Sequence, residues 1–226
     1  MIKSWSVLLL CICIALQLVA SFPQPDDDNN ANAVQSSSAE NVLSLPRNQL
    51  LLGTLGILTN QSRFILRSST TFMKDLIREM NALPEKSKAI ERNITRVSNV
   101  LAAVERIDLD AKPPLINQMF AAVDEVGKIY DEFYGMPENN DTKSDAAVLE
   151  KIFEKVGSES LEKRFNDSLD ATLDDFMKLF DNFATSLSEK ERQSESQLLN
   201  WYERFKKEED VEKKFDYLEE FWRYFE

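Results

Sequence analysis

From Pro46 to the end of the chain, large apolar residues recur at steps of three and four, and this period constrains the fold more than any other feature. Such spacing gathers them on one face of an α-helix, whereas a half-buried strand alternates every second residue. Leu51, Leu55, Leu58, Ile65, Phe72, Leu76 and Leu83 share the first such face. Ser62 and Ser69 interrupt it, and Gly53 and Gly56 weaken its start, since each interior glycine costs a helix about 1 kcal/mol relative to alanine. The pattern predicts one long helix, or two with a break near Thr59–Ser62. Leu83–Pro84 is the stop, because the residue before proline is pushed out of the α region. Pro84 suits the first turn of the next helix.

That second helix carries Ile90, Ile94, Val97, Leu101 and Val104 and ends before Pro113–Pro114. A third follows with Met119, Val123, Val126, Tyr130 and Phe133 on one face. Gly135–Met136–Pro137–Glu138–Asn139–Asn140 has the composition of a loop. A short helix around Val148, Ile152, Phe153 and Val156 stops at Gly157, and another runs from about Ser158 to Leu187. Ser188 and Glu191 have the spacing of a capping box, in which each side chain satisfies an orphan backbone donor of the other. Two last helices carry Leu198, Trp201 and Phe205, then Val211, Phe215, Leu218, Trp222 and Phe225.

No sustained period-2 run and no Asn-Gly or Asp-Gly hairpin turn competes with this reading, and glycine is scarce at 5 residues. The fold class predicted is all-α: an irregular bundle of about six to seven amphipathic helices spanning residues 46–226. The alternative is two sub-bundles divided near 135–145. The heptad-like spacing implies shallow helix crossings.

The N-terminus sets the expected compartment. Lys3 precedes the apolar run Val7–Ala20, which is shorter than the roughly 20 residues a membrane span needs. Residues 1–20 are read as a signal peptide, cleaved after Ala20 or Ser21, and the product as secreted and extracellular. Both cysteines, Cys11 and Cys13, fall inside that segment, so the mature chain would have no thiol or disulfide. Residues 21–45, rich in Pro, Asp, Asn and Ser, read as a disordered leader that cannot bury enough surface to offset its ordering entropy. The core after position 46 must then hold by burial alone.

Chemistry is constrained by absence. The chain has no histidine, so imidazole-based triads, acid–base pairs and most zinc sites cannot be built. Its glycines do not match a phosphate-cradling loop. Carboxylate pairs such as Asp174/Asp175 and Glu219/Glu220 sit among other charges on helical patterns, and Asp108–Leu109–Asp110 lacks the glycine and closing glutamate of a calcium loop. No enzyme activity, cofactor or metal is predicted. A net charge of −12 repels phosphate backbones, which argues against nucleic acid. No run after the first twenty residues is apolar enough to cross a membrane.

Two features point to binding. Asn60, Asn93, Asn140 and Asn166 each open an Asn-x-Ser/Thr sequon without a central proline, at positions off the apolar stripes. The last helix carries more apolar surface than docking on a core requires: beside Phe215, Leu218, Trp222 and Phe225 runs a second stripe of Tyr217, Phe221 and Tyr224. The simpler reading wedges this helix between two neighbours. The sharper one makes Tyr217, Phe221 and Tyr224 a binding face, since tyrosine and phenylalanine supply contact area at low entropic cost.

In general pattern the chain resembles exchangeable lipid carriers such as the insect apolipophorins, being secreted, cysteine-free and built of amphipathic helices. The likeness carries no individual residue across. The function expected is that of a non-catalytic helical glycoprotein that binds a partner protein in an extracellular fluid such as saliva, venom or seminal fluid. The alternative is a carrier that holds a hydrophobic small molecule or lipid between its helices.

Overall fold

The structure is a computed structural model that describes residues 45–112, 114–134 and 144–225. The segment read as a signal peptide, the segment read as a leader as far as position 44, and residues 135–140 with the sequon at Asn140 lie outside the described residues. The described residues form eight α-helices and no strand: α1 (Pro46–Asn81), α2 (Lys88–Glu105), α3 (Ile116–Tyr134), α4 (Asp145–Lys155), α5 (Ser158–Ser186), α6 (Glu189–Ser194), α7 (Ser196–Lys207) and α8 (Val211–Trp222).

The 3.6-residue period translates into these helices with few departures. Helix α1 runs unbroken through Thr59–Ser62. Ser62 and Ser69 are fully buried on its inner face rather than gaps in it. The burial of Leu58, Ile65, Leu66 and Phe72 along that face outweighs the weak propensity of single residues. Pro84 does not open α2. Ser87 does: its hydroxyl accepts from the Ile90 N–H at 3.2 Å, and Pro84 stays in the connection before it. A serine cap satisfies a donor that proline at the first turn can only omit. Helix α4 ends before Gly157, whose φ of 88° is the left-handed conformation that glycine adopts without strain. The capping box is formed and opens α6, a six-residue helix too short to show in the periodicity.

The chain divides into two compact units, with the divisions between Leu58 and Thr59 and between Asp170 and Ala171. They fall inside α1 and α5, with the first turns of α1 grouped with the C-terminal helices. In the unit of residues 59–170, α2 packs on α3 and α4, and α3 on α4. Its centre is aromatic: Phe72 stacks on Tyr130 at 5.4 Å between ring centroids, meets Phe153 edge-on at 5.1 Å, and Phe153 stacks on Phe133 at 5.2 Å. Leu76, Met80, Val97, Met119, Val123 and Val126 fill in around them.

The other unit joins residues 45–58 to 171–225, with α7 packed on α6 and α8. Phe176 sits at its centre and meets Trp201, Phe205 and Phe221 edge-on at 6.2, 5.4 and 5.3 Å. Edge-on contact is the geometry that ring quadrupoles favour. Arg47 closes this unit: one guanidinium nitrogen donates to both carboxylate oxygens of Glu195 at 2.9 and 2.7 Å, the other reaches the Tyr224 carbonyl, and the group lies over the Phe225 ring at 4.9 Å.

Candidate binding surface

The clearest concentration of basic side chains lies in the unit of residues 59–170. Steps of three and four along α1 put Asn60, Arg63, Phe64, Arg67, Ser68 and Thr71 on one side, and α5 adds Arg164. Together they line a groove of about 490 Å³. Arg63 donates through Nε to the Leu109 carbonyl at 2.7 Å and through Nη1 to Asn60 Oδ1 at 2.9 Å. Arg67 donates through Nη2 to both oxygens of Asp110 at 2.7 and 2.9 Å. Arg164 donates to the Ser68 hydroxyl at 2.9 Å and stands over the Phe64 ring at 5.8 Å. No acidic side chain belongs to the lining itself, so like charges meet there at a cost that i,i+4 pairs already show on a helix.

A larger groove of about 670 Å³ runs along α2 and is lined by Lys88, Glu91, Arg92, Thr95, Arg96, Asn99 and Val100, with Glu125 from α3. Its charges are of both signs, and Arg96 is paired with Glu132. Charges so matched leave little net field for a ligand.

The residues expected to form a C-terminal face divide. Phe221 has no exposed surface and lies among Phe176, Trp201 and Trp222, so it belongs to the core. Tyr217 and Tyr224 are half-buried. Arg204 lies over the Tyr217 ring at 5.6 Å and pairs with Glu220 at 2.8 Å, and the Tyr224 hydroxyl donates to the same carboxylate at 3.2 Å. Burial first, and then that carboxylate, push the Tyr224 phenol above its ordinary value. The two tyrosines are thus engaged within the chain. Trp222 is also buried, with no partner for its indole N–H among the described residues. It borders an apolar cavity with Leu58, Leu173, Phe176 and Leu218 that measures about 10 Å³, the room of one water.

Of the sequons, Asn60 and Asn166 are exposed, while Asn93 is half-buried with its Nδ2 donating to the Ala89 carbonyl at 3.1 Å. The first and last are neighbours: Ser168, the hydroxyl of the Asn166 sequon, donates to Gln61 of the Asn60 sequon at 2.5 Å.

The carboxylates that could suggest catalysis or calcium binding are held in ordinary surface interactions. Asp175 pairs with Lys178 at 3.0 Å, Glu220 with Arg204, and Asp108 accepts from the Asp110 N–H at 3.0 Å. Among the described residues no cluster of three or more acidic side chains converges on a point where a metal could sit, and no helix is long and apolar enough to cross a membrane. The arginine groove is not among the sites expected from the sequence. The Arg63–Arg67 step is visible there, but nothing in one sequence reveals that Arg164 joins it. Compared with known proteins, the chain finds no counterpart: no family model, no curated protein and no solved structure matches it.

Proposed function

We propose that this chain is a secreted helical glycoprotein that acts by binding a partner protein in an extracellular fluid, with no catalysis of its own. One contrast supports the reading. The large aromatic side chains of the C-terminal helices are packed on one another inside the core, whereas the grooves left open at the surface are lined mostly by charged, hydroxyl and amide side chains. A lipid carrier needs the reverse, an apolar pocket of roughly 300 Å³ or more, and the cavity beside Trp222 is far smaller. Arginine is among the side chains that most often dominate protein interfaces, because its planar fork holds carboxylates and carbonyls in fixed geometry.

Expression of the full chain in a eukaryotic secretory line tests the compartment and the modification. The product should reach the medium, begin at Ser21 or Phe22, and carry glycans at Asn60 and Asn166. A photo-crosslinking amino acid at Leu52, Asn99 or Glu189 in turn, exposed positions on different helices, then tests the binding. In the native fluid, at least one site should capture a discrete protein. Retention in the cell, or lipid adducts in place of protein at all three sites, contradicts the proposal.

A further inference from the structure

We infer that the groove of Arg63, Arg67 and Arg164 is the partner-binding site and that it takes an acidic peptide segment of the partner. This rests on the partner-protein reading and adds the place and the chemistry to it. The chain itself displays the mode of recognition. Leu109 and Asp110 lie at the groove as a short stretch of acidic peptide, the Leu109 carbonyl held by Arg63 and the Asp110 carboxylate held two-fold by Arg67. Both bonds come from the single Nη2, so the pair is a charge-assisted contact with a carboxylate that leaves the other nitrogens of Arg67 outside it.

The same chemistry has room to continue. Among the described residues neither Arg63 nor Arg164 pairs with a carboxylate. The Asp110 side chain is 80% exposed and its arginine 55% exposed, so this pair is worth little and a better-placed carboxylate can displace it. With Asn60 reserved for its glycan, the lining left to a peptide runs from Arg63 to Thr71, about two helical turns, or roughly 12 Å at 1.5 Å per residue. An extended peptide of about four residues covers that length at roughly 3.3 Å each. Phe64, half-buried on the lining, offers an apolar surface to the stem of a glutamate or to an aromatic neighbour. Charge reinforces the choice: on a chain of net charge −12, this groove is lined by three arginines and no carboxylate, whereas the groove along α2 mixes both signs.

A fluorescein-labelled peptide of ten glutamates, read by fluorescence anisotropy against the full glycosylated chain, tests this. The wild type should bind it. The double variant Arg63→Gln with Arg164→Gln should bind about tenfold or more weakly, the factor expected from one lost charge-assisted contact, and Lys190→Gln should match the wild type. Asp110→Ser should bind more tightly, because it frees Arg67; a merely structural role for the arginines would not produce that gain. Circular dichroism of each variant confirms that the helices persist. Equal binding by wild type and double variant overturns the assignment. So does a heparin-derived sulfated hexasaccharide that outcompetes the peptide with the same arginine dependence, since it would make the groove a sugar site. Either failure leaves the crosslinking result at Leu52, Asn99 and Glu189 untouched, so the partner reading stands or falls separately.

Discussion

Tyr202 lies flat against Phe180, with ring centroids 3.9 Å apart and planes 15° apart. Helix α7 is thereby fixed to α5 at the centre of the C-terminal unit. The hydroxyl at the far end of the ring is shared between the Met177 carbonyl at 2.8 Å and Asp181 Oδ1 at 2.9 Å. Removing it in Tyr202→Phe leaves the stack but loses both bonds, and because the exposed Asp181 keeps Lys206 Nζ at 3.6 Å, stability should fall by about 1 kcal/mol in chemical denaturation.

The same side chain predicts an alkaline signature. Burial, and then the Asp181 hydrogen bond, hold the Tyr202 phenol well above its ordinary value of 10.0. A group whose pKa is raised on folding contributes stability that is complete below the unfolded value and fades as pH rises through the folded one. Stability should therefore fall as pH climbs beyond 10, and Tyr202→Phe should flatten that slope in denaturant titrations at successive alkaline pH values.

Phe221 and Trp222 are adjacent on α8 and fall on different stripes of the sequence pattern, yet they are 0% and 1% exposed. Alanine at either should cost roughly 3–5 kcal/mol, as truncation of buried aromatic rings does. Equilibrium unfolding that finds Phe221→Ala near wild-type stability would return that residue to the surface.

Two glycines three residues apart on α1 should respond differently to one methyl group. A Cβ at Gly56 meets nothing within 4 Å, so Gly56→Ala should stabilise the helix by about 0.5–1 kcal/mol. A Cβ at Gly53 falls 2.7 Å from a methyl of Leu179, which must move. Thermal denaturation should rank Gly53→Ala below Gly56→Ala by about 1 kcal/mol or more.

At the acid end, Glu191 is held below the usual carboxylate range by the Ser188 hydroxyl and then the Ser188 N–H, donating at 2.5 and 2.8 Å. Glu79 is held low chiefly by its hydrogen bond from Lys155. A depressed pKa supplies stability above the unfolded value of 4.5 and loses it as pH falls through the folded one. Glu191→Gln, which keeps an acceptor for the cap, should unfold with a shallower pH dependence below 4.5 than the wild type.

The helical architecture was legible because it depends on one property of the sequence, the period of residues that must be buried. Val97, Val104, Phe176 and Phe180 are buried where their spacing puts them. Gly157 and the Ser188–Glu191 pair were legible because they act locally. What escaped depends on neighbours. The wide apolar arc of α8 shows that it buries much surface, but not that α5 and α7 enclose Phe221. Ser62 and Ser69 read as interruptions because polarity alone cannot show that small side chains suit a crowded inner face. The division at Leu58 and Asp170 lies inside helices, where no linker composition marks it. The arginine groove needed Arg164 brought to α1, a fact of packing rather than pattern.

An aromatic interior that is closed packing leaves the polar exterior as the proposed binding surface, and native mass spectrometry of the purified chain after incubation with fatty acids and retinoids probes that division. The expected mass is that of chain plus glycans alone, with no change in the emission of the buried Trp201 and Trp222 on addition of either ligand. A stoichiometric lipid adduct accompanied by a shift in that emission would show instead that the interior opens to hold a ligand.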